Sequence, residues 1–281
     1  MADAAKITAP EKPAKVALVT GAASGIGDAI ARQLLVDGFR VFGTSRKGGG
    51  PAGDGIDMLT LDVRSDESVA ACIGALLKEA GRIDVLVNNA GYLLSGPVEE
   101  TTIEQAKAQM ETNFFGAFRV TKAVLPTMRA QKSGRIVNVT SLAGIVPLPF
   151  WGIYNASKFA LEGLTETLRH ELRPFGIKVS AVEPGSIKTP FYSGDHKTSP
   201  SEHYRLWHGR FIRKMAEFEK KAPGPEVVAR IVSKAVQARN PALRYKVTRE
   251  AFLFPFMRTW FPAALFEAGL RSGFRLDDAR Y

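Results

Sequence analysis

The chain has 281 residues, 45% of them hydrophobic and 23% charged, which excludes a disordered protein and is enough to bury a substantial core. A single cysteine, Cys72, excludes an intrachain disulfide and a cysteine-rich zinc site and suits a reducing, cytoplasmic setting. The formal charge of +10 is unevenly placed: residues 1–185 hold 20 basic and 19 acidic side chains, whereas residues 186–281 hold 18 and 9, with 15 of the 26 aromatic residues.

Residues 1–14 carry no apolar core of a signal peptide and read as a flexible tail. From residue 15 the chain reads as a single domain of alternating strands and helices. Lys15–Thr20 is a short apolar run that ends in glycine, so it is expected to be a buried strand. Ile26–Val36 carries the apolar stripe of a helix. Strands are expected at Arg40–Thr44 and Asp57–Leu61, followed by a helix over Asp66–Ala80 and a strand at Ile83–Val87. About ten residues, many of them glycine, separate the second and third strands, so the usual crossover helix is shortened or absent there. Two helices follow around Thr102–Thr112 and Asn113–Ala130. A strand lies within Gly134–Thr140, a long helix over Tyr154–Arg173 and a strand at Lys178–Val182. Repeated strand–helix units imply a parallel sheet covered by helices on both faces, with ligands at the carboxyl ends of the strands.

Beyond that body, Ser201–Lys221 has helical spacing, with Tyr204, Trp207, Phe211, Met215 and Phe218 recurring every three or four residues as a packing face. Pro225–Arg239 opens as helices do, and Tyr245–Thr248 reads as the last strand. No uninterrupted apolar run reaches the roughly 18 residues of a membrane span. The closest approach, Ala251–Leu270, is broken by two prolines, Arg258 and Glu267. His196, His203 and His208 have no metal-site spacing and are expected in solvent, so no metal is expected.

Thr20-Gly-Ala-Ala-Ser-Gly-Ile-Gly27 joins the first strand to the first helix. Gly21 permits a sharp turn, Gly25 keeps a Cβ away from a bound diphosphate, and Gly27 permits close helix–strand contact. The helix end offers free N–H groups to phosphates. No lysine follows the last glycine, so this is not a Walker A loop.

This segment resembles the TGxxxGxG cofactor motif of the short-chain dehydrogenase/reductase family. Three more segments match in order: Asn88-Asn89-Ala90-Gly91, Ser141 ahead of Tyr154-x-x-x-Lys158, and Pro184-Gly185 followed by Thr189. The resemblance covers residues 14–192 strongly. It implies a Rossmann-type doubly wound α/β sheet of about seven strands and a nicotinamide cofactor held by Thr20, Gly21, Ser24, Gly25, Ile26 and Gly27. Asn89, Ala90 and Gly91 would close the crevice beside the adenosine ribose. Pro184, Gly185, Ile187 and Thr189 would line the nicotinamide end.

The resemblance also implies a catalytic set of Asn113, Ser141, Tyr154 and Lys158. Tyr154 and Lys158, four apart, share a helix face, and a nearby ammonium lowers a phenol's pKa. Tyr154 is then the general acid for ketone reduction and the general base for alcohol oxidation. Ser141 would hydrogen-bond the substrate oxygen, with Tyr192 as a further substrate contact. Asn113 would hold a water that links the lysine to a proton relay.

Where relatives that use NAD end the second strand with an acid, this chain has Ser45 and Arg46, which suit a 2′-phosphate. NADP(H) is therefore expected over NAD(H), with Asp62 and Val63 at the adenine edge. Residues 186–223 form the expected substrate lid, and the tail 249–281 resembles the extension of 17-beta-hydroxysteroid dehydrogenase-like and lipid-ketone reductases. The expected partner is a small apolar ketone or secondary alcohol, in a homodimer or homotetramer, with no nucleic acid. A membrane contact through the tail, and a catalytically idle NADP-binding regulator, stand as alternatives.

Overall fold

A computed structural model describes residues 14–48, 55–189 and 200–276. Seven strands form one sheet: β1 (Val16–Val19), β2 (Arg40–Ser45), β3 (Ile56–Thr60), β4 (Val85–Asn88), β5 (Gly134–Val139), β6 (Ile177–Glu183) and β7 (Arg244–Lys246). Their order is β3-β2-β1-β4-β5-β6-β7 and every pairing is parallel. The order reverses between β1 and β4. This is the doubly wound arrangement expected from the sequence, whose ligand crevice opens at that switch point.

Two apolar layers flank the sheet. Strand residues such as Leu18, Phe42, Leu86 and Ile136 pack with α2 (Asp66–Ala80), α4 (Gly116–Ala130) and α5 (Gly152–Glu171). The alternate residues Ala17, Val19, Val41 and Val87 pack with α1 (Gly25–Val36) and α7 (Glu226–Gln237). Period-two alternation thus feeds both cores from each strand. The ends of α2 are written in the sequence. Ser65 accepts from the Ser68 N–H at the start, and Gly81, at φ 67°, caps the end in the left-handed conformation.

Three details refine the sequence reading. The stretch between α3 (Ile103–Met110) and α4 is a π-turn, Glu111–Phe115, not an ordinary helix start. Strand β7 stops at Lys246, because Thr248 becomes the N-cap residue of α8 (Arg249–Trp260). The expectation of a shortened crossover between β2 and β3 falls mostly on residues 49–54, which lie outside the described residues. After α6 (Glu202–Lys221) and α7, the described chain ends in α8 and α9 (Ala263–Gly273). Among the described residues no helix is long and apolar enough to cross a membrane.

Candidate active site

The carboxyl ends of the strands frame a crevice of about 1310 Å³. One end is the glycine turn. Gly21 and Gly25 have φ of 69° and 59°, where a side chain would strain the backbone. A Cβ on Gly27 would lie 2.1 Å from the Gly21 carbonyl oxygen, so close helix–turn contact requires glycine there. The turn is tied down on both sides. Gly21 and Ala22 N–H groups donate to the hydroxyl and carbonyl of Thr44 on β2. Asn89 Nδ2 donates to the carbonyls of Thr20 and Gly21, and the Thr20 hydroxyl accepts from the N–H groups of Asn89 and Ala90. Ser24 sits at the N-cap of α1 without making a side-chain cap bond, so its hydroxyl and the helix N–H groups face the crevice.

At the far end of β2, exposed Arg46 lines the crevice beside Ser45, Asp62 and Val63. Asp62 is gripped by the side chain and N–H of Arg64, which holds its carboxyl down at about 2, with a smaller pull from Arg46. Arg64 also lines the crevice, a residue that motif reading passes over because no family motif includes it. Gly91, Pro184, Gly185, Ile187 and Thr189 line the same space, and Thr189 stands 3.7 Å from where a Gly25 Cβ would be. Tyr192 and His196 lie outside the described residues.

Ser141 and Tyr154 meet in the middle of the crevice through a hydrogen bond between their side chains. Ser141 lies two residues past β5 at the start of the turn Leu142–Gly144, and its Oγ also accepts from Ala143 N–H, so the hydroxyl is fixed by the turn it caps. Tyr154 is buried among Trp151, Phe211, Leu93, Leu148 and Met215. Burial pushes its phenol up to about 12, with the Ser141 bond pulling the other way. Lys158 Nζ donates to the Val139 carbonyl at 2.9 Å and lies 5.8 Å from the Tyr154 ring centre. Burial lowers its ammonium to about 8, opposed by the charge of Glu162. The expected lowering of the phenol by the lysine is therefore not met in the chain alone. Desolvation by the surrounding apolar cluster dominates, and Lys158 Nζ donates to a backbone carbonyl.

Asn113 is buried in the π-turn, with its amide engaged by chain atoms: Oδ1 accepts from Tyr92 N–H, while Nδ2 donates to Tyr92 O and Ser157 Oγ. It pins the loop after β4 to α5, close to Lys158. A buried ladder of Asn88, Thr121, Asn138 and Thr165 joins β4, α4, β5 and α5 beneath it. Of that ladder only Asn88 falls within a quoted motif; Thr121, Asn138 and Thr165 carry no local signal.

The cover over the crevice is aromatic. Phe211 of α6 packs against Trp151 at 5.6 Å and Phe274 at 5.0 Å, so the C-terminal helices reach the lid. His208, expected in solvent, is buried instead: its ring stands edge-on to Phe150, and Nε2 is 3.5 Å from Ser95 Oγ. It lies on the same helical face as Phe211 and Met215, which packing turns inward. Among the described residues no cluster could hold a metal ion.

Residues 15–199 match the family model described as short chain dehydrogenase. The chain is 38% identical over 261 residues to the 3-ketodihydrosphingosine reductase of Bacteroides thetaiotaomicron, covering 92% of this chain and 97% of the relative. It is 36% identical over 270 residues to mouse 17-beta-hydroxysteroid dehydrogenase type 1, covering 88% and 78%. Among solved structures, a short-chain dehydrogenase from Streptomyces avermitilis superposes with a TM-score of 0.80 at 31% identity, covering 96% of this chain and 100% of that one. A point variant of actinorhodin polyketide ketoreductase with NADPH gives 0.73 at 36% identity, covering 85% and 97%. A family member from Burkholderia phymatum in complex with NAD gives 0.76 at 25% identity, covering 88% and 93%. The chain belongs to the short-chain dehydrogenase family, oxidoreductases that act on alcohol and carbonyl groups with a nicotinamide cofactor.

Proposed function

We propose that the chain is an NADPH-dependent reductase of an apolar ketone, with Tyr154 as the acid that protonates the carbonyl oxygen. The hydrogen-bonded Ser141–Tyr154 pair carries this reading, because it stands between the glycine turn and an apolar wall of Leu93, Leu94, Leu148, Trp151 and Met215. A phenol held at about 12 keeps its proton at neutral pH, which is the form that reduction needs. The Ser141 hydroxyl steadies the substrate oxygen as charge develops on it. Lys158 supplies a buried positive charge next to the tyrosine.

The crevice suits a dinucleotide on its own terms. The left-handed glycines and the close Gly27 contact leave a cradle that any Cβ would fill. Gly21, Ser24, Gly25 and the α1 end would hold the diphosphate, Ser45 and Arg46 the 2′-phosphate, and Asp62 and Val63 the adenine. Pro184, Gly185, Ile187 and Thr189 would flank the nicotinamide, which supplies the hydride when bound. The relatives named for ketodihydrosphingosine and hydroxysteroid chemistry favour a lipid-sized substrate.

The test is Tyr154→Phe, assayed by nicotinamide absorbance with 3-ketodihydrosphingosine and a 17-ketosteroid. Turnover should fall by roughly 10²–10⁴-fold while NADPH still binds. Retained turnover would sink the assignment.

A second reading adds a membrane surface. Phe252, Leu253, Phe256, Trp260 and Leu265 are exposed together on α8 and α9, in the part of the chain that carries the positive excess. Such a face suits the interface of an anionic bilayer, and co-sedimentation of the whole chain with anionic vesicles tests it. Exposed Phe115, Phe118 and Phe159 around α4 and α5 support a pairing of two copies, which light scattering decides.

A further inference from the structure

Behind Lys158 lies a group of charges that the reaction as described does not use. Glu162 follows Lys158 by one turn of α5, and both are nearly fully buried. Glu162 Oε2 accepts from Arg244 Nε at 3.2 Å, while the nearby Thr140 hydroxyl donates to the Val182 carbonyl. Arg244 reaches in from β7. The same Nε stands 3.0 Å from Oε1 of Glu183 on β6, and its Nη2 meets Glu166 of α5. Glu183 has 0% exposure, and neither of its oxygens has an aligned hydrogen-bond donor; Oε1 of Glu162 has none either. Lys246, paired with Glu183 in the β6–β7 register, adds a cation at the rim.

Two buried carboxyls sharing one guanidinium are a poor way to stabilise a fold, since desolvation offsets much of the attraction. Their location suggests a use. A Cβ on Gly144, in the turn after Ser141, would lie 3.0 Å from the Lys158 carbonyl oxygen and 3.2 Å from Glu162 Cγ. The cluster is therefore packed directly against the turn that carries the serine and the helix that carries the lysine.

We propose that Glu162 and Glu183, bridged by Arg244, are positioning residues that set the charge of Lys158. Glu162, one turn from Lys158 on the buried side of α5, is the carboxylate whose charge acts on the lysine, and Glu183 acts through the Arg244 guanidinium that the two share. Burial, then repulsion from Glu162, pushes the Glu183 carboxyl up to about 7. Below that pH Glu183 holds a proton and Arg244 is left to Glu162 and Glu166. Above it Glu183 ionises, and the added negative charge favours the Lys158 ammonium in the range where burial would otherwise strip its proton. The pair thus extends the charged form of Lys158 toward alkaline pH.

This inference rests on the assignment of Tyr154 and Lys158 above, and the experiment separates the two. The chain is labelled with [6-¹³C]lysine, the Lys158 signal is assigned by its loss in Lys158→Arg, and its titration is followed without substrate. In Glu162→Gln the Lys158 midpoint should fall by about one pH unit, the lower end for losing an opposite charge nearby. Glu183→Gln should move it the same way by less, and Glu162→Asp should restore most of the shift. The alkaline limb of kcat in ketone reduction should move with the midpoint, whereas KM for the ketone stays put. An unmoved midpoint in folded Glu162→Gln and Glu183→Gln would overturn the proposal. If Glu162→Gln does not fold, Glu183→Gln carries the test alone. A shifted midpoint with turnover surviving in Lys158→Met would spare the charge coupling and overturn the catalytic assignment instead.

Discussion

The floor of the crevice, from Thr20 to Thr189, is held by backbone groups and short polar side chains, whereas its cover, from α6 to α9, is held by aromatic packing. On the floor, single atoms decide: the Thr20 hydroxyl serves two N–H groups and the Asn89 amide serves two carbonyls. In the cover, Phe211, Trp151, Phe150 and Phe274 meet at 5.0 to 5.6 Å without any one contact being indispensable. The floor is nearly neutral and the C-terminal third is strongly basic. Hydrogen-bonded geometry tolerates little change, whereas an apolar cluster responds in proportion to the volume removed.

The largest effect is therefore expected on the floor, from one methyl group. Gly27→Ala places a Cβ 2.1 Å from the Gly21 oxygen and 2.5 Å from Asn89 Nδ2. Neither can retreat, because the Asn89 amide is already bonded to the turn. Overpacking of this kind costs about 1–3 kcal/mol, and here the strain falls on the N-terminus of α1. NADPH affinity, measured by fluorescence titration, should drop by about 100-fold, the equivalent of roughly 2.8 kcal/mol. Near-normal binding would show that the turn is looser than its contacts imply.

The cover should give a graded response. Phe211 is fully buried, and Phe211→Ala should cost about 3–5 kcal/mol if the cover unfolds with the body. A thermal melt reads that directly. If the cover opens independently, the melt shifts little and KM for the ketone used in the assay rises instead. NADPH binding should stay within a fewfold of normal in both cases, which distinguishes cover from floor.

The floor is more legible in the sequence than the cover, for a physical reason. The glycine turn and the Tyr154–Lys158 spacing are local, so their meaning is contained in a few consecutive residues. The bounds of α2 are likewise carried by Ser65 and Gly81. The π-turn at Asn113 is not legible, because it answers to Tyr92 and Ser157, which arrive from distant elements. His208 reads as a solvent residue because Phe150 and Ser95, which bury it, lie far away in the chain. Spacing alone points to a phenol acidified by its lysine neighbour, yet Trp151 and the α6 residues Phe211 and Met215, which desolvate it, are supplied by the fold. Arg244 and Glu183 fall one residue outside the strands expected at Tyr245–Thr248 and Lys178–Val182, and only the pairing of β6 and β7 beside α5 brings them together.

A smaller effect separates two arginines on the floor. Arg46 is exposed with no described salt bridge, whereas Arg64 is committed to Asp62 through both side-chain and backbone bonds. On the proposed contact with a 2′-phosphate, Arg46→Ala should erase about 1.5–3 kcal/mol of charge-assisted bonding, lowering kcat/KM with NADPH relative to NADH by about 10- to 100-fold. Arg64→Ala should change that preference less, because its charge is already neutralised by the carboxylate. Comparing kcat/KM for the two cofactors checks both. Equal losses would mean that Asp62 releases Arg64 when the cofactor binds.

The smallest effect on the fold is expected where the cover meets solvent. Trp260 is 73% exposed, and its ring touches Phe256 on the same face of α8. Replacing both by serine removes apolar surface that the fold does not bury, so stability should change by no more than about 0.5 kcal/mol per site. The inward residues of the same segment, Ala251 and Pro255, and Phe274 beyond them, are untouched. Turnover on a soluble ketone should also be unchanged. Co-sedimentation with anionic vesicles should disappear if this face is used at a bilayer, and persist if the basic residues of α6 make that contact. Because the fold gains nothing from these two rings, the double substitution isolates the outer face of the cover from the inner face that closes the crevice.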